Sequence, residues 1–236
     1  MTETVFISGA DKGLGFSLAS RFLQDRFHVF AGAYQRESDL LGLRERFPQA
    51  LTIVPLDVSQ MDSIRSAAGH TAQQTPGLDV LINNAGINLH EQGNGPLMEI
   101  DLTDGHLEKV MAVNTFGPLR IVQQFLPLLK QGKRKMIVNI SSEAGSIADC
   151  GRQGEFAYCM SKSALNMQSK LLQNYLGPQG FKVLAIHPGW MRTDMGGPDA
   201  TISADQSAEN IFTLTTGDWS SDDPIYVDYL GKPLRW

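Results

Sequence analysis

The chain has 236 residues, of which 42% are hydrophobic and 19% charged, with a formal net charge of -5. This composition excludes disordered and fibrous classes, and the length suits a single domain over residues 1–236. The densest basic run is Lys133, Arg134 and Lys135, which argues against nucleic acid as a partner. Since no apolar stretch is long enough to span a bilayer and no signal peptide precedes the first strand, we expect a cytoplasmic protein without a membrane partner.

Short apolar runs alternate with segments of helical periodicity along the whole chain. The apolar runs predict strands at residues 4–8, 27–33, 51–56, 79–83, 136–140, 183–187 and 225–227. The helical spacing predicts helices near residues 14–23, 40–47, 59–74, 103–130, 156–176 and 204–214, with an interruption of 103–130 near Asn114. This alternation predicts an α/β fold of the doubly wound, Rossmann type: a parallel sheet of about seven strands inside three α/β/α layers.

The first strand runs into a glycine-rich turn over residues 8–15, in which Gly9, Gly13 and Gly15 have the spacing Gly-x3-Gly-x-Gly. The spacing differs from GxGxxG, but the physical demand is similar: a tight turn, a close approach to a pyrophosphate and close helix packing. The helix that follows offers free N–H groups to an anion. A glycine-rich turn without a ligand is the alternative, and a P-loop is excluded because Gly-Lys-Ser/Thr is missing.

The end of the second strand favours NADP(H) over NAD(H). An NAD site usually carries an acidic residue there, whereas here Tyr34 and Gln35 follow the strand and the first carboxylate is Glu37. This leaves room for a 2′-phosphate, to which Lys12 and Arg36 could supply countercharge. Both could equally be ordinary surface cations, so NAD(H) stays open as the second cofactor.

Two further strand ends carry polar or small residues. Asp57 could accept a hydrogen bond from an adenine amino group, or it could cap the helix that begins near Ser59. Asn83 is predicted to clamp neighbouring backbone groups. The small pair Ala85 and Gly86 would let the backbone pass close to a cofactor.

A candidate catalytic pair lies on the helix predicted over 156–176, where Tyr158 and Lys162 are four residues apart and share one face. A free tyrosine has a pKa of about 10, and a neighbouring cation lowers it. Such a pair alone is weak evidence. It gains weight from Ser142 at the end of the fifth strand, and from Asn114, which interrupts a predicted helix.

Together these motifs resemble the short-chain dehydrogenase/reductase family over nearly the whole chain. The residues that carry the resemblance are, in order, Gly9-x3-Gly13-x-Gly15, Asn83-Asn84-Ala85-Gly86, Asn114, Ser142, Tyr158-x3-Lys162 and Pro188-Gly189. The resemblance implies Tyr158 as general acid/base and Ser142 as the donor that orients the carbonyl. It implies that Lys162 holds the nicotinamide ribose and tunes Tyr158, and that Asn114 positions a water in a proton relay.

The resemblance also implies cofactor contacts, which extend those expected from the glycine loop and the strand ends. The complete predicted set is Gly9, Asp11, Lys12, Gly13, Leu14, Arg36, Asp57, Val58, Asn84, Ala85, Gly86, Tyr158, Lys162, Pro188, Gly189, Met191 and Thr193.

One spacing departs from the family pattern. Ser142 precedes Tyr158 by sixteen positions, whereas in most members the serine precedes the tyrosine by thirteen. The additional residues are expected in the loop 150–155, which leaves the role of Ser142 intact if the loop bulges outward. This spacing, with segments 142–147, 187–197 and 228–236, looks like the subgroup that contains the C-factor signalling protein and the insect carbonyl reductase sniffer.

The sequence therefore predicts an NADP(H)-dependent oxidoreductase that reduces a ketone or aldehyde to an alcohol, or the reverse, through Tyr158. A catalytically weak, cofactor-binding signalling or regulatory protein is the second hypothesis. An S-adenosylmethionine-dependent methyltransferase is the third, and the Tyr158–Lys162 pair and the missing acid after strand two count against it.

The remaining expectations concern metals, thiols and assembly. We predict no metal, because His187 has no second ligand at metal spacing, and reduced thiols at Cys150 and Cys159. The helices over 103–130 and 156–176 carry apolar residues on more than one face. Family members commonly pair through the equivalent helices, so a homodimer or homotetramer acting on a small carbonyl or alcohol substrate is expected.

Overall fold

The computed structural model describes residues 2–35, 38–88, 97, 100–101, 103–220 and 222–236. The strands are β1 (Thr4–Ser8), β2 (His28–Ala33), β3 (Leu51–Pro55), β4 (Val80–Asn83), β5 (Met136–Ile140), β6 (Lys182–His187), β7 (Met191–Arg192), β8 (Ile202–Ser203) and β9 (Tyr226–Asp228). The α-helices are α1 (Gly13–Gln24), α2 (Ser38–Arg46), α3 (Met61–Ala72), α4 (His106–Met111), α5 (Gly117–Gln131), α6 (Phe156–Leu176) and α7 (Ala204–Thr216).

Seven of these strands form one sheet in the order β3-β2-β1-β4-β5-β6-β9, and every neighbouring pair is parallel. The chain starts at the centre with β1, builds outward to β3, and then crosses to β4 on the other side of β1. The strand order therefore reverses between β1 and β4, where ligands bind in sheets of this kind. The predicted doubly wound sheet is confirmed; the short pair β7–β8 was not predicted.

The sheet is buried on both faces, which explains why its strands read as continuous apolar runs. Val5 and Ile7 of β1 belong to the same core cluster as Phe22 of α1. Phe6, between them, faces the opposite side and packs its ring against Phe125 of α5, with 4.4 Å between ring centroids. Polar side chains of the sheet are consequently concentrated at the strand ends.

The helix predicted over 103–130 is instead two α-helices, α4 and α5, joined by a π-helical turn over Ala112–Phe116. Asn114 lies in the middle of this turn. Pro118 lies in the first turn of α5, directly after Gly117, where helices tolerate proline. Such π-helical turns occur often at functional sites, so the turn around Asn114 is a candidate part of one.

Among the described residues, no helix combines the length and the apolar character needed to cross a membrane.

Candidate active site

Glycines shape the loop between β1 and α1. Gly9 has a φ of 63°, in the left-handed region, and a Cβ there would lie 2.9 Å from the Cα of Ala85. A Cβ on Gly15 would collide with the Gly9 carbonyl oxygen and would lie 2.5 Å from Nδ2 of Asn84. Helix α1 starts at Gly13 without a side-chain cap or an acidic residue in its first turn. Its first N–H groups are therefore suited to an anion such as a pyrophosphate, together with the close approach that the glycines allow.

Asn84 ties this loop to the end of β4. Its Nδ2 donates to the carbonyl oxygens of Ser8, at 3.0 Å, and Gly9, at 2.9 Å. The Ser8 hydroxyl accepts from the backbone N–H groups of Asn84 and Ala85, both at 3.1 Å. The predicted cofactor residues Gly9, Asn84 and Ala85 therefore form one hydrogen-bonded unit.

The prediction that Asn83 clamps backbone groups is wrong, since Asn84 has that role. Asn83 Nδ2 donates to Oδ1 of Asn139 on β5 at 2.8 Å, and Asn139 donates to the Ser169 hydroxyl of α6 at 2.8 Å. Successive side chains of a strand point to opposite faces, so Asn83 faces α6 and Asn84 turns toward the glycine loop.

Two predicted cofactor residues of the loop, Asp11 and Lys12, have protein partners. The buried Asp11 carboxylate accepts from the backbone N–H of Gln35 at 3.3 Å, which joins the loop to the end of β2. The exposed Lys12 ammonium pairs with Asp194 at 3.0 Å. The predicted contact Arg36 lies outside the described residues.

Asp57 organises the turn between β3 and α3. Its Oδ1 accepts from the backbone N–H of Ser59 at 2.9 Å and from the Ser59 hydroxyl at 2.7 Å. Helix α3 begins later, at Met61, and the residue at its N-cap position is Gln60. Asp57 therefore stabilises the turn before the helix, and it is not the helix cap that the sequence left open. The neighbouring Val58 is buried.

Asn114 is buried in the π-helical turn and bonds to the segment after β4. Its Oδ1 accepts from the Ile87 N–H, and its Nδ2 donates to the Ile87 carbonyl, both at 2.8 Å; Nδ2 also donates to Ser161 of α6 at 3.0 Å. A Cβ on Gly86 would lie 3.5 Å from Asn114 Oδ1 and 3.6 Å from Lys162 Nζ. Asn114 and Lys162, two predicted catalytic residues, thus flank the same stretch of backbone.

Ser142 and Tyr158 meet although they are sixteen positions apart in the sequence. Ser142 is buried, and its hydroxyl oxygen accepts from the Ala144 N–H at 3.1 Å at the start of a 3-10 turn over Glu143–Gly145. Burial raises the pKa of Tyr158 to about 12, and a hydrogen bond with the Ser142 side chain opposes this rise. Residues 150–153 are exposed, so the additional loop residues lie on the outside, as the sequence predicted.

Lys162 is fully buried beneath the tyrosine. Its ammonium donates to the Ile140 carbonyl at 2.8 Å and lies 5.6 Å from the centroid of the Tyr158 ring, and burial lowers the pKa of Lys162 to about 8. The expectation of a lowered tyrosine pKa is therefore wrong for this structure. Burial of the phenol is the largest influence on this pKa and raises it.

An ionic cluster that sequence reasoning missed borders Tyr158. Arg152 pairs with Glu143 at 2.5 Å and with Glu155, and Glu155 also accepts from the Asn88 amide at 2.8 Å. Burial disfavours the Arg152 charge, but its hydrogen bonds and charge pairing with both glutamates prevail and raise its pKa. The charged members of the cluster all lie in the connection between β5 and α6, but the sequence does not show that this connection folds back on itself and meets Asn88 after β4.

The loop after β6 brings further predicted residues to the glycine loop. Gly189 has a φ of 82°, and Pro188 just before it is buried. Met191 is half-buried in β7. A Cβ on Gly13 would lie 3.5 Å from the Thr193 side chain, so this loop closes over the start of α1.

His187 is the last residue of β6, directly before this loop. Burial lowers the pKa of His187, and its Nδ1 has no hydrogen-bond partner in the described part of the chain. Within that part, no group of three histidine, cysteine or acidic side chains could hold a metal ion. Trp190, at the start of the same loop, is 53% exposed and donates to the Gly196 carbonyl at 2.8 Å.

Comparison with known proteins connects this arrangement to a family. Residues 3–202 match the family described as short chain dehydrogenase. The C-signal protein of Myxococcus xanthus is 37% identical over 159 residues, which cover 67% of this chain and 93% of that protein. The chain spans about half the length of the mouse and rat estradiol 17-beta-dehydrogenase 2 sequences that it also matches.

Two solved structures match over the full length of the chain. An NADPH-bound carbonyl reductase from chicken fatty liver superposes with a TM-score of 0.88 at 31% identity, covering 100% of this chain and 99% of that chain. The carbonyl reductase Sniffer of D. melanogaster superposes with a TM-score of 0.89 at 29% identity, covering 100% of both chains. With the C-signal match, these similarities confirm the subgroup that the motif spacing predicted.

Proposed function

The chain belongs to the short-chain dehydrogenase family of oxidoreductases, and from this premise we propose that it reduces a ketone or aldehyde with NADP(H), or catalyses the reverse reaction, through Tyr158. The proposal is carried by the convergence of Tyr158, Ser142 and Lys162 beside the loops after β1 and β4. The two solved relatives named as carbonyl reductases support the substrate class, and the NADPH in one of them supports the cofactor. Cofactor and substrate would both bind in this single domain, beside the loops at the ends of the strands.

The side chains can divide the work of a carbonyl reduction. The Ser142 oxygen accepts from Ala144, and its own hydrogen, which bonds to Tyr158 in this structure, can turn to a substrate carbonyl oxygen. With a pKa of about 12, Tyr158 is protonated at neutral pH and can give its proton to the oxygen that becomes an alkoxide. The buried ammonium of Lys162, 5.6 Å from the ring centroid, stabilises the phenolate that is left. NADPH, when bound, supplies the hydride.

Asn114 would act through the groups that it holds. Its amide fixes Ile87 and Ser161, and Ser161 in turn donates to the Tyr158 carbonyl at 2.7 Å. Its Oδ1 also lies near the Gly86 backbone beside Lys162, where a second lone pair could hold a water. This arrangement supports a proton path from the lysine toward solvent.

We favour NADP(H) over NAD(H) because no carboxylate lies among the first two residues after β2, Tyr34 and Gln35. Lys12 is exposed near this position, although a 2′-phosphate would have to compete with Asp194 for its ammonium. Steady-state kinetics with both cofactors test the preference. A kcat/KM for NADH equal to or above that for NADPH would overturn it.

Replacement of Tyr158 by Phe tests the reaction directly. Loss of the phenolic hydroxyl removes the proton donor, so kcat on a carbonyl panel should fall by about 10²–10⁴-fold while NADPH affinity stays the same. Tyr175→Phe, on the exposed end of the same helix, is the matched control and should keep wild-type turnover. Wild-type turnover in Tyr158→Phe with a good substrate would contradict the assignment of Tyr158 as the proton donor.

A second candidate is a cofactor-binding signalling or regulatory protein with weak chemistry. The observation that favours it is the 37% identity with the C-signal protein over 93% of that protein. The two candidates separate in one comparison: measurable NADPH binding without turnover on any ketone or aldehyde supports the regulatory function.

We also propose that the chain forms a homodimer through α5 and α6. Large apolar side chains are exposed along the two helices and the turn before α5: Phe116, Leu119, Met160, Met167 and Leu171. Several large exposed apolar side chains on the same elements are typical of an interaction surface. Light scattering at micromolar concentration checks the dimer, and a monomer there would contradict it.

We also propose a cytoplasmic location. Both cysteines are free thiols, which supports a reducing compartment.

A further inference from the structure

After β9 the chain turns and runs back along that strand. Val227 and Pro233 form an antiparallel bridge, and the Leu234 N–H donates to the Tyr226 carbonyl at 3.0 Å. Trp236 then stacks on the Tyr226 ring, with 5.1 Å between centroids and 29° between planes. Residues 233–236 are called the return segment here.

The return segment is attached to the residues that follow β5. The Ala148 N–H donates to the Trp236 carbonyl at 2.8 Å, and the Arg235 guanidinium pairs with Asp149, with Nε 3.1 Å from Oδ2. Residues 142–149, which begin with Ser142, are called the serine loop here. The C-terminal end of the serine loop, at Ala148 and Asp149, is therefore held by residues more than eighty positions further along the chain.

Tyr226 holds the near end of the serine loop. Its ring is 1% exposed, and its hydroxyl donates to the Ser142 carbonyl at 2.7 Å. On the other side of this carbonyl, the Gly145 N–H donates at 3.0 Å. Asn166 of α6 accepts from the Ser141 hydroxyl at 2.6 Å and donates to the Gly145 carbonyl at 3.1 Å. The backbone at Ser142 is thus fixed by buried bonds on both sides.

From this geometry we infer that Tyr226, supported by the return segment, is a positioning residue for Ser142. The inference rests on the proposed function, in which the Ser142 hydroxyl donates to the substrate carbonyl. With its backbone fixed, Ser142 can aim that hydroxyl by rotation of one bond, so the position of the donor depends on Tyr226. A displacement of about 1 Å at a catalytic group can lower a rate by 10²-fold.

A double-mutant cycle separates positioning from general stability. Tyr226→Phe removes only the hydroxyl and keeps the ring that stacks on Trp236. We expect kcat to fall about tenfold when Ser142 is present, with NADPH affinity unchanged, and to stay the same when Tyr226→Phe is added to Ser142→Ala, because partners that act together are non-additive. Tyr175→Phe is the control, with no change in either background.

Equal losses in both backgrounds, or no loss in either, would overturn the inference. If the wild type turns over no carbonyl, the proposed function has failed, and amide hydrogen exchange across residues 142–149 then decides the inference alone. Exchange that is faster in Tyr226→Phe than in wild type and Tyr175→Phe supports it; equal exchange refutes it. Arg235→Gln is a milder second variant, in which faster exchange is expected at Ala148 and unchanged exchange would contradict the attachment.

Discussion

The two halves of the site are held in place by different means. After β1 and β4, Asn84 and Ser8 bond to backbone groups, and Gly9 and Gly15 leave no room for a Cβ. Between β5 and α6, the serine loop depends on side chains that come from α6, β9 and the return segment. Steric exclusion leaves the backbone of the first half only one conformation. The second half is held by side-chain contacts that other side chains could provide. Under the proposed function, we therefore expect substitutions in the second half to change substrate preference without disturbing the first half.

The contacts that fix the two halves also differ in charge, apart from the Asp11 carboxylate and the Lys12–Asp194 ion pair of the glycine loop. The hydrogen bonds that join the loops after β1 and β4 come from neutral amides and hydroxyls. The residues around Tyr158 include Glu143, Arg152 and Glu155, whose charges act on the tyrosine in opposite directions. Substitutions should therefore break the first half by steric collision and adjust the second half by electrostatics.

The largest effect is expected from Gly15→Ala. Its Cβ would collide with the Gly9 carbonyl and would lie 2.5 Å from Asn84 Nδ2, and neither backbone loop can move without loss of the bonds between them. We expect the free energy of unfolding to fall by more than about 3 kcal/mol, with NADPH binding abolished, as measured by urea titration and fluorescence.

Gly69→Ala is the matched control for this substitution. Gly69 lies in α3, where nothing is within 4 Å of an added Cβ, so alanine should raise the free energy of unfolding by about 0.5–1 kcal/mol. A Gly15→Ala protein as stable as wild type would mean that the cradle is not sterically fixed.

The same division explains what could be predicted from sequence. The strands, the glycine loop and the Tyr158–Lys162 pair depend on periodicity and local spacing, and the structure has all of them. Asn83 was assigned the role of Asn84 because a shift of one position along a strand exchanges the two faces. The raised pKa of Tyr158 depends on burial, and the contact of Tyr226 with Ser142 joins residues 84 positions apart. Neither has a local signal.

A smaller effect, with a defined pH dependence, is expected from Lys162→Met. The pKa of Lys162 is about 8 in the folded chain, against 10.5 for an ordinary lysine. Between these values the unfolded chain binds more protons, so the free energy of unfolding of the wild type rises with pH. Relative to the variant, the wild type should become more stable by about 3 kcal/mol from pH 8 to 10.5. Urea titrations across this range measure the difference, which should be constant for Lys170→Met, an exposed site on the same helix.

The smallest effect is expected from substitutions in the ionic cluster, and the test is the direction in which each substitution shifts the pKa of Tyr158. Arg152 lowers the pKa of Tyr158, while Glu143 and Glu155 raise it. Arg152→Met should therefore raise that pKa further, and Glu143→Gln should lower it, each by less than about one unit because solvent screens these half-exposed groups. In alcohol oxidation Tyr158 acts as a base, so the rise of kcat/KM with pH should move to higher pH in the first variant and to lower pH in the second.

Salt distinguishes this electrostatic effect from a change in loop structure. Both shifts should shrink as sodium chloride is raised, since added ions screen charges near the surface. Arg65→Met removes a more exposed ion pair far from this loop, that of Arg65 with Asp62 on α3, and should leave the pH profile unchanged. Shifts of the same sign in Arg152→Met and Glu143→Gln, or shifts that persist at high salt, would mean that the cluster acts by holding the loop rather than by its charge. The second half of the site would then be as dependent on backbone position as the first.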